Sequence, residues 1–194
     1  MKSAQTTDHI FKVCVTGDAA VGKSSAIRKW VTDGFDTEYQ VTVGVQHYTK
    51  YVDLSGSGID STVKLIIWDL GGQQTFSFIR PLFYRAARGV IVMFDLGNRG
   101  SFDSLNNWIR EAEVNVGRRV PMVVAGNKAD LERYEVDVDE AREFSRTLGL
   151  PFLLTSAKAG MNVPDLFITL AIMILQESTK CSGPVNPGAA CMLA

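Results

Sequence analysis

Cysteine is scarce in this chain of 194 residues: Cys14, Cys181 and Cys191 offer neither the number nor the spacing of a disulfide framework or a zinc site. That scarcity suits a reducing compartment. Long apolar runs are missing as well. The longest strongly apolar stretch, residues 167–175, is too short to span a bilayer and fits a helix packed in a core. The opening Met1-Lys2-Ser3-Ala4-Gln5-Thr6-Thr7-Asp8 is polar and lacks the apolar stretch of a signal peptide, and Lys2 stands where N-myristoylation needs glycine, so neither signal is expected. No charge of one sign dominates, since 20 Lys+Arg face 21 Asp+Glu for a net charge of -1. No nucleic-acid partner is therefore expected. With 46% apolar and 21% charged residues and no internal repeat, wholesale disorder, collagen and coiled coil are excluded. A soluble intracellular chain with one domain is the expectation, and a second catalytic domain is not.

Short apolar runs alternate with helix-period segments, which predicts an α/β fold with a mainly parallel sheet and helices on both faces. Strands are expected at 10–16, 45–53, 61–69, 89–96, 120–126 and 151–155, and residues 54–60 carry the Gly and Ser of a hairpin tip. Helices are expected at 23–32, from Ser101 as cap with Phe102, Leu105, Ile109 and Ala112 on one face, and from Val138 with Gly149 as stop. A last helix starts near Pro164. Residues 1–9 read as a flexible N-terminus, 10–178 as the domain, and 179–194 as a flexible tail with little to bury.

Gly17-Asp18-Ala19-Ala20-Val21-Gly22-Lys23-Ser24 fits G-x-x-x-x-G-K-[ST] between a strand and a helix. Its glycines let the backbone wrap a polyphosphate, and its N–H groups, continued by Ser25 at the helix N-terminus, point donors at the anion. Lys23 adds a point charge near the β- and γ-phosphates. The Ser24 hydroxyl suits Mg²⁺, a hard cation that prefers oxygen. A nucleoside triphosphate is the ligand this loop implies; a tight turn between core elements is the bland alternative.

Asp69, in Ile66-Ile67-Trp68-Asp69-Leu70-Gly71-Gly72-Gln73, closes a buried strand where parallel strands form a ligand crevice, and so suits holding Mg²⁺ through a water or from behind its direct ligands. Gly72 can present its N–H to a γ-phosphate. Gln73, both donor and acceptor, can orient an attacking water, but glutamine is a poor base, so hydrolysis should be slow unless a partner adds charge.

Asn127-Lys128-Ala129-Asp130 follows another strand and addresses the base. An ionised carboxylate at Asp130 accepts from the two adjacent N–H donors of guanine, whereas adenine shows an acceptor there. In Thr155-Ser156-Ala157-Lys158, the Ala157 N–H can meet the guanine O6 and the Lys158 stem can cover the base. Lys128 and Ser156 complete these two loops.

With these elements in order, the chain resembles the Ras superfamily of small GTPases over about residues 10–177, and within it the Rab branch. The Rab cues are Thr42-Val43-Gly44-Val45, Trp68-Asp69 with Gly72-Gln73, the run from Phe83 to Gly89, and Ala141-Arg142-Glu143-Phe144 leading through Leu148-Gly149-Leu150-Pro151-Phe152 into Thr155-Ser156-Ala157-Lys158. The resemblance implies a P-loop NTPase G domain with a six-stranded sheet, GTP/GDP and Mg²⁺ as ligands, and catalysis by Gln73, Lys23 and Thr42. It implies that Thr42 binds Mg²⁺ and the γ-phosphate in the GTP state. Phe35 is implied against the guanine, Tyr39 beside the phosphates, and Asn127 as the tie between base loop and phosphate loop. It also implies effectors at switch I, from Gly34 to Val45, and switch II, from Gly72 to Tyr84, an exchange factor and an activating protein.

Several residues depart from the Rab pattern. Ala19 and Ala20 stand where Ser or Gly, then Gly, is usual, and Gln46-His47-Tyr48 follows the threonine motif in place of Asp-Phe. Leu70-Gly71-Gly72 is similar to the Arf pattern, and Gln74 replaces the usual Glu. His47 reads as a surface strand residue. Cys191-Met192-Leu193-Ala194 matches C-a-a-X with Ala last, the pattern for farnesylation, and acylation of Cys181 would supply the second anchor that one prenyl chain needs. The expected location is the cytoplasmic face of an intracellular membrane, in exchange with cytosol. Two readings share this fold: a GTP-hydrolysing switch in membrane trafficking, and a GTP-locked scaffold that hydrolyses poorly. A kinase-type phosphotransferase shares only the phosphate loop.

Overall fold

The computed structural model describes residues 9–34, 44–73, 75 and 77–180. Phe35, Tyr39, Thr42, Gln74, Cys181 and Cys191, together with the expectations of flexibility for residues 1–8 and 181–194, lie outside the described residues.

Continuous apolar runs become strands covered on both faces, because a parallel strand flanked by helices has no wet side. All seven residues of β4 (Gly89–Asp95) and all six of β5 (Met122–Asn127) are buried. They join β1 (His9–Thr16), β2 (Val45–Asp53), β3 (Thr62–Leu70) and β6 (Phe152–Leu154) in one sheet of order β2-β3-β1-β4-β5-β6. Among the described residues every strand pairing within this sheet is parallel except β2 with β3, which form the expected hairpin with His47 opposite Trp68. From β1 the chain goes to β3 on one side and then to β4 on the other. The crevice at the carboxyl end of β1 is therefore the topological switch point where such sheets bind ligands.

Two apolar clusters flank the sheet, so helices do cover both faces as expected. One packs α1 (Lys23–Thr32) and α6 (Val163–Lys180) against it, with Trp30 stacked on the fully buried Phe167 at 4.3 Å between centroids. The other packs α2 (Arg80–Tyr84), α3 (Arg99–Asp103), α4 (Leu105–Val116) and α5 (Val138–Thr147) on the opposite face. Cys14 is buried there, and burial pushes its thiol up to about 12. Among the described residues no helix is long and apolar enough to cross a membrane.

The expected cap at Ser101 is corrected. Asn98 is the cap: its side chain accepts the Ser101 N–H at 3.2 Å, and Ser101 lies inside α3. The Ser101 hydroxyl instead donates to the Asn98 carbonyl at 2.7 Å, and the helix re-forms at Leu105. Asn outranks nothing by much as a cap over Ser, so the local pattern alone could not separate positions three apart. The N-terminal strand begins at His9 and the last helix reaches Lys180, one and two residues into segments expected to be flexible.

Candidate functional site

The phosphate loop leaves β1 at Thr16 and enters α1 at Lys23, as the motif requires. Gly22 lies at φ +97°, and a Cβ there would come 2.2 Å from the Asn127 amide nitrogen. Only glycine permits both that backbone and that approach. Through it, the Asn127 amide donates to the Val21 carbonyl at 2.8 Å, while its oxygen accepts from the Ala157 N–H at 3.1 Å and the Thr155 hydroxyl at 3.2 Å. Asn127 therefore ties the phosphate loop to both base-side loops. The Ala157 N–H, expected to face a base oxygen, goes to Asn127 instead.

Lys23 is 5% exposed. Its ammonium donates to the carbonyls of Gly17 at 2.8 Å and Asp18 at 2.6 Å, which hold it across the mouth of the loop. Desolvation pushes its pKa down to about 8, against the attraction of Asp69 and Asp18. A charge held at that cost fits a site completed by an anion.

Asp69, at the end of β3, is fully buried, and burial raises its carboxyl above the ordinary value despite the Ser24 hydroxyl, Lys23 and Arg28. The Ser24 hydroxyl donates to Asp69 Oδ2, while Oδ1 is buried with no hydrogen-bond partner among the described residues. An orphaned carboxylate oxygen beside a serine hydroxyl is a hard-oxygen donor set that fits Mg²⁺. Gly72 lies directly on the phosphate loop: a Cβ would meet Asp18 C at 2.4 Å and Ala19 N at 2.5 Å. Any side chain there would force the two loops apart. Gln73 follows, half-buried, its Oε1 3.4 Å from the Thr75 hydroxyl. Ala19 and Ala20 are exposed, with Ala20 in the left-handed region at φ +65°; Ser25 is half-buried in the first turn of α1.

On the base side, the Ser156 hydroxyl donates to Asp130 Oδ1 at 2.5 Å, and Lys158 stands 3.7 Å from Oδ2 with an exposed side chain. Lys128 is in the left-handed region at φ +65° and pairs with Asp95 at 2.6 Å. Asp130, Ser156 and Lys158 thus converge beside the Asn127 tie. Direct contacts join Lys23, Ser24, Asp69 and Gly72 at the phosphate loop, and Asn127 links that loop to Ala157 on the base side.

Three residues at this site escape a reading of the sequence. Trp108 on α4 donates its indole N–H to Asp18 Oδ1 at 2.7 Å, so the Asp18 side chain turns toward α4 and only its backbone lines the loop. Arg80 and Glu111 stand behind Trp108. Their partners are distant in sequence, and the one local sign is that Trp108 joins Leu105, Ile109 and Ala112 on the buried face of α4.

The family model described as the Ras family matches residues 12–176. Among curated relatives, the Ras-related protein Rab-8 of Diplobatis ommata is 36% identical over 178 residues, 91% of this chain and 83% of that protein. The Ras-related protein Rab-13 of Bos taurus is 36% identical over 176 residues, 90% and 85% of the two chains. The Ras-related protein Rab-8B of Bos taurus is 34% identical over 188 residues, 96% and 89% of the two.

Proposed function

The chain belongs to the Ras family and is a Rab-like small GTPase, and from that membership we propose that it hydrolyses GTP to GDP as a switch governing vesicle and membrane trafficking. The observation that carries the reading is Asn127, one side chain bonded at once to the Val21 carbonyl and to Thr155 and Ala157. It supports a phosphate-binding and a base-binding half built as one unit.

In this reading Lys23 places its charge on the β- and γ-phosphates, and the loop from Gly17 to Ser25 donates N–H groups to them. Ser24 and Asp69 hold Mg²⁺, joined by Thr42 in the GTP state. Mg²⁺, when bound, neutralises charge on the phosphate oxygens. Gly72 offers its N–H to the γ-phosphate, and Gln73 orients the water. Because glutamine positions rather than abstracts a proton, intrinsic turnover of the monomer is slow and an activating protein supplies the missing charge. Asp130 reads guanine, with Lys128, Ser156, Ala157, Lys158 and Phe35 around the base and Tyr39 at the phosphates.

Effectors read the GTP state through switch I and switch II, and an exchange factor reloads the site. His47, exposed and 5.5 Å from Trp68, which lies 5.2 Å from Phe83, presents an aromatic face between the two switches. Farnesylated Cys191, aided by acylated Cys181, anchors the chain to the cytoplasmic face of an intracellular membrane, from which it cycles to cytosol. The comparisons lend no support to a GTP-locked scaffold. Competition of GDP, GTP and ATP for the purified chain tests the nucleotide reading: guanine nucleotides should bind in the presence of excess ATP, and displacement by ATP would refute it. Tagged protein in cells should decorate one organelle, and Cys191→Ser should release it to cytosol. Equal membrane retention of that variant contradicts the anchor.

A further inference from the structure

Arg80 is 2% exposed, and all three of its guanidinium nitrogens donate to named partners. Its Nε and Nη2 donate to the two carboxylate oxygens of Glu111 at 2.7 and 2.8 Å, a bidentate pair. Nη1 donates to the Gln73 carbonyl at 3.0 Å and reaches toward the Gly71 carbonyl at 3.4 Å. The guanidinium lies 4.6 Å from the centroid of the Trp108 ring, and Trp108 in turn donates to Asp18. A chain of side chains thus runs from the phosphate loop through α4 to the backbone of Gln73.

We propose that Trp108, Arg80 and Glu111 form a clamp that sets the position of Gln73 over the phosphate loop, making Arg80 and Trp108 positioning residues for hydrolysis. Glu111 fixes the plane of the guanidinium, and that plane fixes where the Gln73 carbonyl sits. Trp108 references the same plane to Asp18. Gln73 acts by orientation, so a small displacement of its backbone moves the water it holds. Lysine cannot replace the fork, because a point charge with rotatable donors leaves the carbonyl free to shift. The clamp rests on the reading of Gln73 as the water-orienting group, and its test separates the two.

The full chain loaded with Mg²⁺ and GTP is followed in single turnover, with GDP dissociation, melting and amide exchange measured alongside. Arg80→Lys should slow hydrolysis about tenfold or more, since a misplacement near an ångström can cost on the order of a hundredfold and the lysine variant keeps part of the hold. Trp108→Phe, which keeps the ring face and loses the bond to Asp18, should slow it about two- to tenfold. Both should speed exchange at residues 71–79 and leave exchange in residues 9–16 within about twofold, and Arg80→Lys, which makes no contact with the phosphate loop, should also leave GDP dissociation within about twofold. Glu111→Gln should follow Arg80→Lys in direction. Unchanged hydrolysis together with unchanged exchange at 71–79 in Arg80→Lys overturns the clamp. So does faster exchange in 9–16 to the same degree, which marks general loosening. A wild-type chain that leaves GTP uncleaved refutes the hydrolytic reading, and the exchange arm then decides the clamp alone.

Discussion

Replacing Ala20 by glycine should stabilise the protein, while the same replacement one residue earlier should destabilise it. Ala20 lies at φ +65°, where a Cβ costs roughly 1–2 kcal/mol against the following carbonyl. Glycine removes that cost and adds about 0.4–1 kcal/mol of chain entropy to the unfolded state. The difference favours Ala20→Gly by about 0.8 kcal/mol, a rise of roughly 2–3 °C for a chain of this size. Ala19 is not among the residues of positive φ, so Ala19→Gly gains no strain relief and should lower the melting temperature by about 1–3 °C. Both residues are exposed, so neither substitution opens a cavity. Calorimetric melts of the wild type and both variants in Mg²⁺ and GDP, each corrected with that protein's own GDP dissociation constant, separate the ligand contribution from the strain term. A fall or no change in Ala20→Gly, or equal shifts of one sign in both variants, would refute the strain argument.

Three further outcomes follow from the same geometry. Lys23 is pushed down to about 8 by burial, so at pH 8.5 nucleotide binding should draw in about three-quarters of a proton, read by calorimetry in two buffers of different ionisation enthalpy and absent in Lys23→Arg. The sign for folding is the opposite: the unfolded lysine holds its proton up to 10.5, so folding of the nucleotide-free chain releases that proton and its stability should rise as pH goes from about 8 toward 10.5. Asp130→Ala should weaken GDP binding by about 3–6 kcal/mol through the loss of two charge-assisted hydrogen bonds and strengthen weak ADP binding, since adenine no longer faces an unpaired carboxylate, as measured by competition. Phe167→Ala should cost about 3–5 kcal/mol in denaturant unfolding, because the ring is fully buried under Trp30.

Periodicity and punctuation made most of the sheet legible, since a strand covered on both faces must be apolar throughout and its neighbours in sequence must turn. Residues 45–53 and 23–32 coincide with β2 and α1. The cap of α3 was not legible: Asn98 and Ser101 are both good caps, and the choice depends on the Ser101 hydroxyl, which also accepts the Asp95 N–H at 3.0 Å. Within the site, Gly17, Lys23, Ser24, Asp69, Asn127 and Asp130 announce themselves because their chemistry is bound to short motifs. Arg80, Trp108 and Glu111 do not, because the clamp joins residues 31 and 90 apart along the chain. The Ala157 N–H shows the limit of motif reasoning from the other side, since its donor is taken up by Asn127, a partner that only the folded register supplies.

Single-turnover cleavage of γ-labelled GTP by the purified full chain with Mg²⁺, compared with Gln73→Leu, tests the central claim most directly. The account predicts slow release of one phosphate per bound GTP, GDP left in the site, and a fall of about a hundredfold in the variant, the order expected when a group that orients the nucleophile is lost. Phosphate release at the same rate in both proteins, or none above buffer in the wild type, would contradict it.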